Sequence, residues 1–284
     1  MSSQATRVLF DEPGPRGRRL IRVTSVVVGV LIVAVAALVV RQLGANGQLA
    51  PEMWSFLTYP AILAYLGWGL GGTFLATALA AVVAFPLGLV LALGRLSPNR
   101  LVSRLSTGWV EFFRSIPMLL VVYAFLLALP RFGLVFPVLW MLVIPMILVS
   151  SASTAEVFRA GILAVEKGQW EAASSLGMER SRVMRLVILP QAFRIVTPNL
   201  LTGLVSLLKD STLGYVVSYP ELMQQGKSLA SYYGYLVQTY LVIAVIYVAL
   251  NYGLTRLASY LQARGSRKAA STRARTVDVE PEMV

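Results

Sequence analysis

The sequence predicts an all-α integral membrane protein with about six transmembrane helices. Three observations carry that prediction. Of the 284 residues, 57% are hydrophobic and only 13% are charged, far from the balance of a soluble domain. The apolar residues fall into separate runs, most of them near the 20 or so residues that a helix needs to cross a bilayer core. The charges, which sum to +12, lie in blocks between those runs.

Residues 1–22 are polar and basic, with Arg7, Arg16, Arg18, Arg19 and Arg22 against Asp11 and Glu12, and Pro13, Gly14, Pro15 and Gly17 mark a tail. Val23–Val40 is apolar apart from Thr24 and Ser25 and reads as an extra N-terminal span, residues 23–40. A signal peptide is the rival reading, but the run exceeds a usual h-region and has no convincing A-x-A exit. Residues 41–69, with Trp54, Tyr59, Tyr65 and Trp68, read as an extracytoplasmic or interfacial segment. Leu70–Leu93 is the second span, with Gly71 and Gly72 for close packing and Pro86 for a bend. A basic loop with Arg95, Arg100, Arg104 and Arg114 follows. Ile116–Leu129 is a short third span, started by Pro117 and extendable backwards through Phe112 and Phe113. Leu134–Ser153 is the fourth, broken by Pro137 and Pro145. After a polar stretch come the fifth span at Ile195–Val217, a polar loop at Tyr219–Gly234 and the sixth span at Tyr235–Leu257. Residues 261–284 read as a disordered tail, basic and then acidic at Asp278, Glu280 and Glu282.

Charge sets the orientation. With the N-terminus inside, six spans put residues 1–22, 94–115, 154–194 and 256–284 on the cytoplasmic face, and these hold 21 of the 25 Lys and Arg. The reverse topology breaks the positive-inside rule. Both termini are therefore expected in the cytoplasm.

Histidine and cysteine are absent, which excludes Ser-His-Asp, Cys-His and thiolate-metal chemistry. No GxxxxGK[ST] occurs, so ATP hydrolysis is not expected on this chain. No catalytic or metal-binding residues are expected. Blocked charge between apolar runs also argues for a lipid environment and against a nucleic-acid surface.

The long polar passage amid the apolar runs is EAASSLGMERSRVMRLVILP, Glu171–Pro190. Glu171, Ala172 and Ala173 begin a helical stretch that Gly177 can end in a left-handed C′ position. A second helix is expected from about Glu179 to Leu189, with Arg180, Arg182 and Arg185 exposed and Pro190 closing it. From physics alone, a helix pair lying on anionic lipid explains the pattern as well as a docking element does.

The motif resembles the signature of ABC importer permeases: EAA, three residues, Gly, nine residues, a β-branched residue (Val187, commonly Ile), one residue and LP. The flanks SSASTAEVFRAGILAVEKGQWEAASSLGM and VILPQAFRIVTPNLLTGLVSLLKDSTL resemble the polar amino-acid uptake permeases, and the likeness covers about residues 66–260. FFRSIPMLLVVY matches a further block of that family, with Ser115–Ile116 replacing Gly-Thr. The extra first span and the DEPGPRGRR start are similar to the longer permease subunit of actinobacterial glutamate uptake systems.

The resemblance implies a five-helix type I importer core plus one N-terminal helix, in a permease domain over residues 70–260. It implies a coupling helix within residues 166–190 in which Glu171, Ala172, Ala173, Gly177, Arg180, Leu189 and Pro190 meet a cytoplasmic ATPase. It further implies an ABC ATPase dimer that uses ATP and Mg, an extracytoplasmic amino-acid-binding protein and a second permease subunit, a heterodimer being favoured. Polar amino acids, glutamate first, are the expected cargo, with glutamine, aspartate or basic amino acids as alternatives, in a bacterial cell membrane.

A second constellation is Lys209, Asp210, Ser211 and Thr212, expected inside the fifth span. Ionisable residues at that depth line a cavity or form a structural pair. Glu156 and Arg159, at i and i+3 near the inner end of the fourth span, are read either as part of the pathway or as an intrahelical ion pair. A gradient-driven secondary transporter is the functional rival, though no internal repeat is evident. An intramembrane enzyme would have to rely on Lys209, Asp210 and Ser211.

Overall fold

The computed structural model describes residues 14–277, the side chains of 15 and 261–277 excepted. Residues 1–13 and 278–284, within the expected tails, lie outside the described residues. The chain forms two units, divided between Thr58 and Tyr59.

The first unit is built on α1 (Pro15–Ala45), so residues 15–22, expected as tail, are helical instead: Pro15 falls in the first turn, where proline starts a helix rather than breaking one. Every residue from Val23 to Val40 is exposed. A helix apolar on all sides needs lipid around it. α2 (Glu52–Ser55) is a single turn, and Trp54 Nε1 donates to the Gln48 carbonyl at 3.1 Å.

In the second unit α3 runs from Pro60 to Arg95, ten residues earlier than the expected span. The interfacial segment drawn over 41–69 is thereby shortened. Pro60 sits in the first turn after an extended Tyr59, where its missing N–H costs nothing. Ile62, Leu66 and Gly69 then face inward at helical spacing. α4 (Arg100–Ser115) is capped by Asn99, whose side chain accepts from the Leu101 and Val102 amides.

The expected backward extension of the third span through Phe112 and Phe113 does not occur. Ile116 is extended, as a residue before proline prefers, and the helices on either side meet at 97°. α5 (Met118–Tyr123) continues through a π turn and a 3₁₀ turn to Phe132, where Gly133 ends it with positive φ.

α6 (Val138–Leu163) packs along α3, and the two cross where their residues are smallest. Ala76, Ala80 and Ala84 are fully buried. A Cβ on Gly88 would stand 2.7 Å from the Thr154 side chain. Close backbone approach through small residues is how helices pack in lipid. Met141, Leu142, Val143 and Met146 of α6, with Val122 and Leu207, complete the core.

α7 (Lys167–Ser175) and α8 (Arg180–Val183) follow. A π turn at Met184–Ile188 joins α8 directly to α9 (Leu189–Asp210). Pro190 therefore does not close the second helix, contrary to the sequence expectation. Proline lacks an amide and crowds the carbonyl four residues back, and the wider π turn just before it accommodates both. A 3₁₀ segment (Ser211–Val216) follows, then α10 (Leu222–Tyr233), where a polar loop was expected, and α11 (Leu236–Val277). α11 thus runs on past the expected boundary at 260.

Among the described residues four helices are long and apolar enough to cross a membrane, and the α4–α5 pair, bent by 97°, reaches the same length and apolarity when its two helices are taken together. α9 has 22 residues and is about 33 Å long, also sufficient by length. Its Arg194, Asn199, Lys209 and Asp210 leave it less apolar than the four long spanning helices.

Candidate functional site

Lys167–Ser175 is a short helix whose ending is fully specified. Gly177 has φ +72°, the left-handed region that side chains other than glycine and asparagine avoid. Its amide donates to the Ser174 carbonyl at 3.0 Å, and the Met178 amide to the Ala173 carbonyl at 3.3 Å. This pair of bonds is the Schellman closure, which satisfies carbonyls that a helix end otherwise leaves open. No atom lies within 4 Å of a Cβ built on Gly177, so its environment is open space and the constraint is backbone conformation.

The two faces of the turn differ. Ala173 is buried, whereas Glu171, Ala172, Gly177 and Arg180 are exposed and Leu176 is 83% exposed. Ala173 packs with Ile162 and Val165 at the end of α6, with Val183, Ile188 and Ala192, and against Leu93 and Leu96 at the end of α3. Leu189 joins the same cluster, whereas Pro190 is exposed. The Arg180 guanidinium lies 5.8 Å from the centre of the Trp170 ring, and Gln191 Nε2 donates to Gln169 Oε1 at 3.2 Å. The turn is thus an exposed knuckle held rigidly to the ends of three long helices.

Beside it lies an ionic hub. Glu156 Oε1 accepts from Arg95 Nη1 at 2.6 Å and from Arg114 Nη1 at 2.9 Å. Arg159 Nη1 stands 3.8 Å from Oε2, at the edge of an ion-pair distance. Glu156 therefore ties α3 and α4 to α6, and the intrahelical partner expected from sequence is the weakest of the three.

At the opposite end, Lys209 and Asp210 form the last turn of α9, so they close a helix rather than sit within a longer span. Lys209 is exposed and Asp210 half-buried. Ser211 is buried and its hydroxyl donates to the Leu208 carbonyl at 2.7 Å. Lys209 and Thr212, together with Tyr247, Val248 and Asn251 of α11, line a groove of about 460 Å³. Glu156 and Arg159 are not part of it. Gly161 abuts Val196 while Leu142 abuts Gly214, so α6 and α9 run antiparallel and place the hub and the groove at different ends.

Sequence reasoning missed Glu221. It caps α10, accepting from the Met223 amide at 2.8 Å and the Gln224 amide at 2.7 Å, and it is fully buried. Tyr247 completes the set, its hydroxyl donating to Glu221 Oε2 at 2.8 Å. The start of α10 is also fixed to α3, since Thr73 Oγ1 accepts from the Leu222 amide at 3.1 Å and the Tyr219 hydroxyl donates to the Gly72 carbonyl at 3.1 Å. The signal was available: Leu222, Gln225, Gly226, Leu229 and Ala230 follow helical spacing, with an acid at the capping position.

Among the described residues no cluster of three or more acidic side chains could hold a metal ion. A bundle of long apolar helices, with an exposed knuckle at one end and a groove that carries Lys209 near the other, has the build of a membrane transport component. The family described as "Binding-protein-dependent transport system inner membrane component" matches residues 84–267, and the chain belongs to it.

The glutamate transport system permease protein GluD of Corynebacterium glutamicum is 33% identical over 227 residues, covering 78% of this chain and 82% of that protein. The probable glutamine ABC transporter permease protein GlnM of Bacillus subtilis is 36% identical over 192 residues, covering 68% and 89%. Among solved structures, an amino acid ABC transporter crystallised with histidines superposes with a TM-score of 0.70 at 32% identity, covering 74% of this chain and 98% of that one. The MetNI methionine transporter in an inward-facing conformation shares the fold, at TM-score 0.60 and 21% identity. The chain is an amino-acid ABC transporter permease subunit, a multi-pass inner-membrane transport component rather than an enzyme.

Proposed function

We propose that this permease imports glutamate, driven by ATP that a separate cytoplasmic ATPase dimer hydrolyses with Mg. The observation that carries the reading is the knuckle. Glu171, Ala172, Gly177 and Arg180 are exposed, while Ala173 and Leu189 anchor them to the ends of α3, α6 and α9. A turn that is open on one side and rigidly anchored on the other suits a part pushed by a partner. Glu171 and Arg180 offer charges, Ala172 permits close approach, and the exposed Leu176 gives an apolar contact. Pro190, with the π turn before it, passes the push directly into α9.

The positive-inside count supports a cytoplasmic position for this end. The opposite end, with α10, then faces the binding protein that delivers the amino acid. The likeness to a glutamate permease over 78% of this chain supports glutamate as cargo, with glutamine the alternative that a relative of similar identity offers, and a second, homologous permease subunit completes the pore. Lys209 and Thr212, which line the groove, lie on the translocation pathway with Asp210 beside them; Ser211, buried and bonded to backbone, supports the turn. Glu156 and Arg159 serve the hub at the inner end.

Reconstitution of the permease with its ATPase and binding protein in liposomes tests the reading. ATP-dependent glutamate uptake is the expected result. Uptake driven by an ion gradient with this chain alone would overturn it.

A further inference from the structure

We propose that Glu221 is a positioning residue that sets substrate discrimination through Tyr247, without itself touching substrate. The inference rests on the reading of the groove as part of the translocation pathway. Tyr247 belongs to two structures at once. It lines the groove with Lys209, Thr212, Val248 and Asn251, and its hydroxyl donates to Glu221 Oε2 at 2.8 Å. Behind it, Asn251 Nδ2 donates to the Tyr247 carbonyl at 2.7 Å, so this stretch of α11 is held from within as well.

Glu221 is immobile for independent reasons. It is fully buried, its two oxygens accept from the Met223 and Gln224 amides, and the segment it caps is fastened to Thr73 and Gly72 of α3. A phenol tied to a fixed carboxylate has one orientation; an untied phenol has several. With the ring fixed, the Lys209 ammonium is the charged group the groove presents, which favours a side-chain carboxylate over an amide. With the ring released, the groove widens and that preference weakens.

The test is the ratio of glutamate to glutamine uptake by the complete transporter in liposomes, each amino acid supplied on saturating binding protein. Tyr247→Phe removes one oxygen and keeps the ring. Glu221→Gln puts an amide donor where the Met223 amide and the Tyr247 hydroxyl already converge. Each is expected to move the ratio toward one by about fivefold, the factor a single hydrogen bond carries. The double variant should fall short of the summed single effects, because both substitutions act on the same Glu221–Tyr247 contact.

A purely structural role would slow both amino acids equally and leave the ratio unchanged, and that result would overturn the proposal, as would additive effects. If Glu221→Gln fails to assemble, Tyr247→Phe alone decides. Lys209→Met separates this proposal from the reading beneath it. A ratio that responds to Lys209→Met but not to Tyr247→Phe defeats the positioning role alone. A ratio indifferent to both defeats the groove as pathway.

Discussion

Arg95 and Glu156 are 61 residues apart in sequence and 2.6 Å apart in space, and Arg114 reaches the same carboxylate oxygen. One carboxylate thus binds two guanidiniums from two other helices. The Arg95 side chain is 12% exposed and that of Arg114 49%, so the two bonds differ in worth. Exposed ion pairs contribute about 0.2–1 kcal/mol, whereas breaking a buried one costs about 3–5 kcal/mol.

Glu156→Ala should therefore lower stability by about 1–3 kcal/mol, between those limits, and Arg95→Ala should cost more than Arg114→Ala. Arg159→Ala should cost under about 0.5 kcal/mol, since its separation is 3.8 Å and its side chain is 41% exposed. Melting of the purified permease in detergent checks the order. Equal losses for Arg95→Ala and Arg159→Ala would contradict the hub.

Gly88 marks a close approach of α3 and α6. A Cβ there would meet Thr154 at 2.7 Å and the Ser151 carbonyl at 3.0 Å. Gly88→Val should cost about 1–3 kcal/mol or more through overpacking. The expected signs are a lower melting temperature and less protein in the membrane, with Gly71→Val, which has open space around it, as the mild control.

Leu176 is 83% exposed at the tip of the knuckle and makes no contribution to the anchoring cluster. Leu176→Asp should leave thermal stability within about 0.5 kcal/mol. Binding of the ATPase, measured by co-purification from membranes, should fall sharply. Unchanged binding would move the contact elsewhere on the knuckle.

Much of this architecture is legible in the sequence, because lipid enforces long apolar runs and the positive blocks between them. The Gly177 turn is legible for a different reason: a left-handed C′ position admits few residues, so glycine after an alanine-rich stretch marks it. What sequence hides is long-range pairing. Nothing local links Arg95 or Arg114 to Glu156, and the i, i+3 spacing of Arg159 points to the weakest partner. Pro190 misleads because proline usually ends a helix, whereas the π turn at Met184–Ile188 lets the chain run on. Glu221 misleads in the opposite sense. An acid in a short polar segment reads as surface, yet it is buried by its capping bonds and by Tyr247.

The central claim is that the Glu171–Gly177 knuckle transmits force. Gly177 has positive φ and open space around it, so a β-branched residue would perturb the backbone alone, at about 1–2 kcal/mol. Asparagine, which tolerates that region, should be nearly neutral. The measurement is ATP hydrolysis and glutamate uptake, taken together, in liposomes bearing the complete transporter with Gly177→Val. The account predicts continued ATP hydrolysis with uptake reduced about tenfold or more, a barrier change of about 1.4 kcal/mol, and normal behaviour in Gly177→Asn. Uptake at the wild-type rate per ATP in Gly177→Val would contradict it.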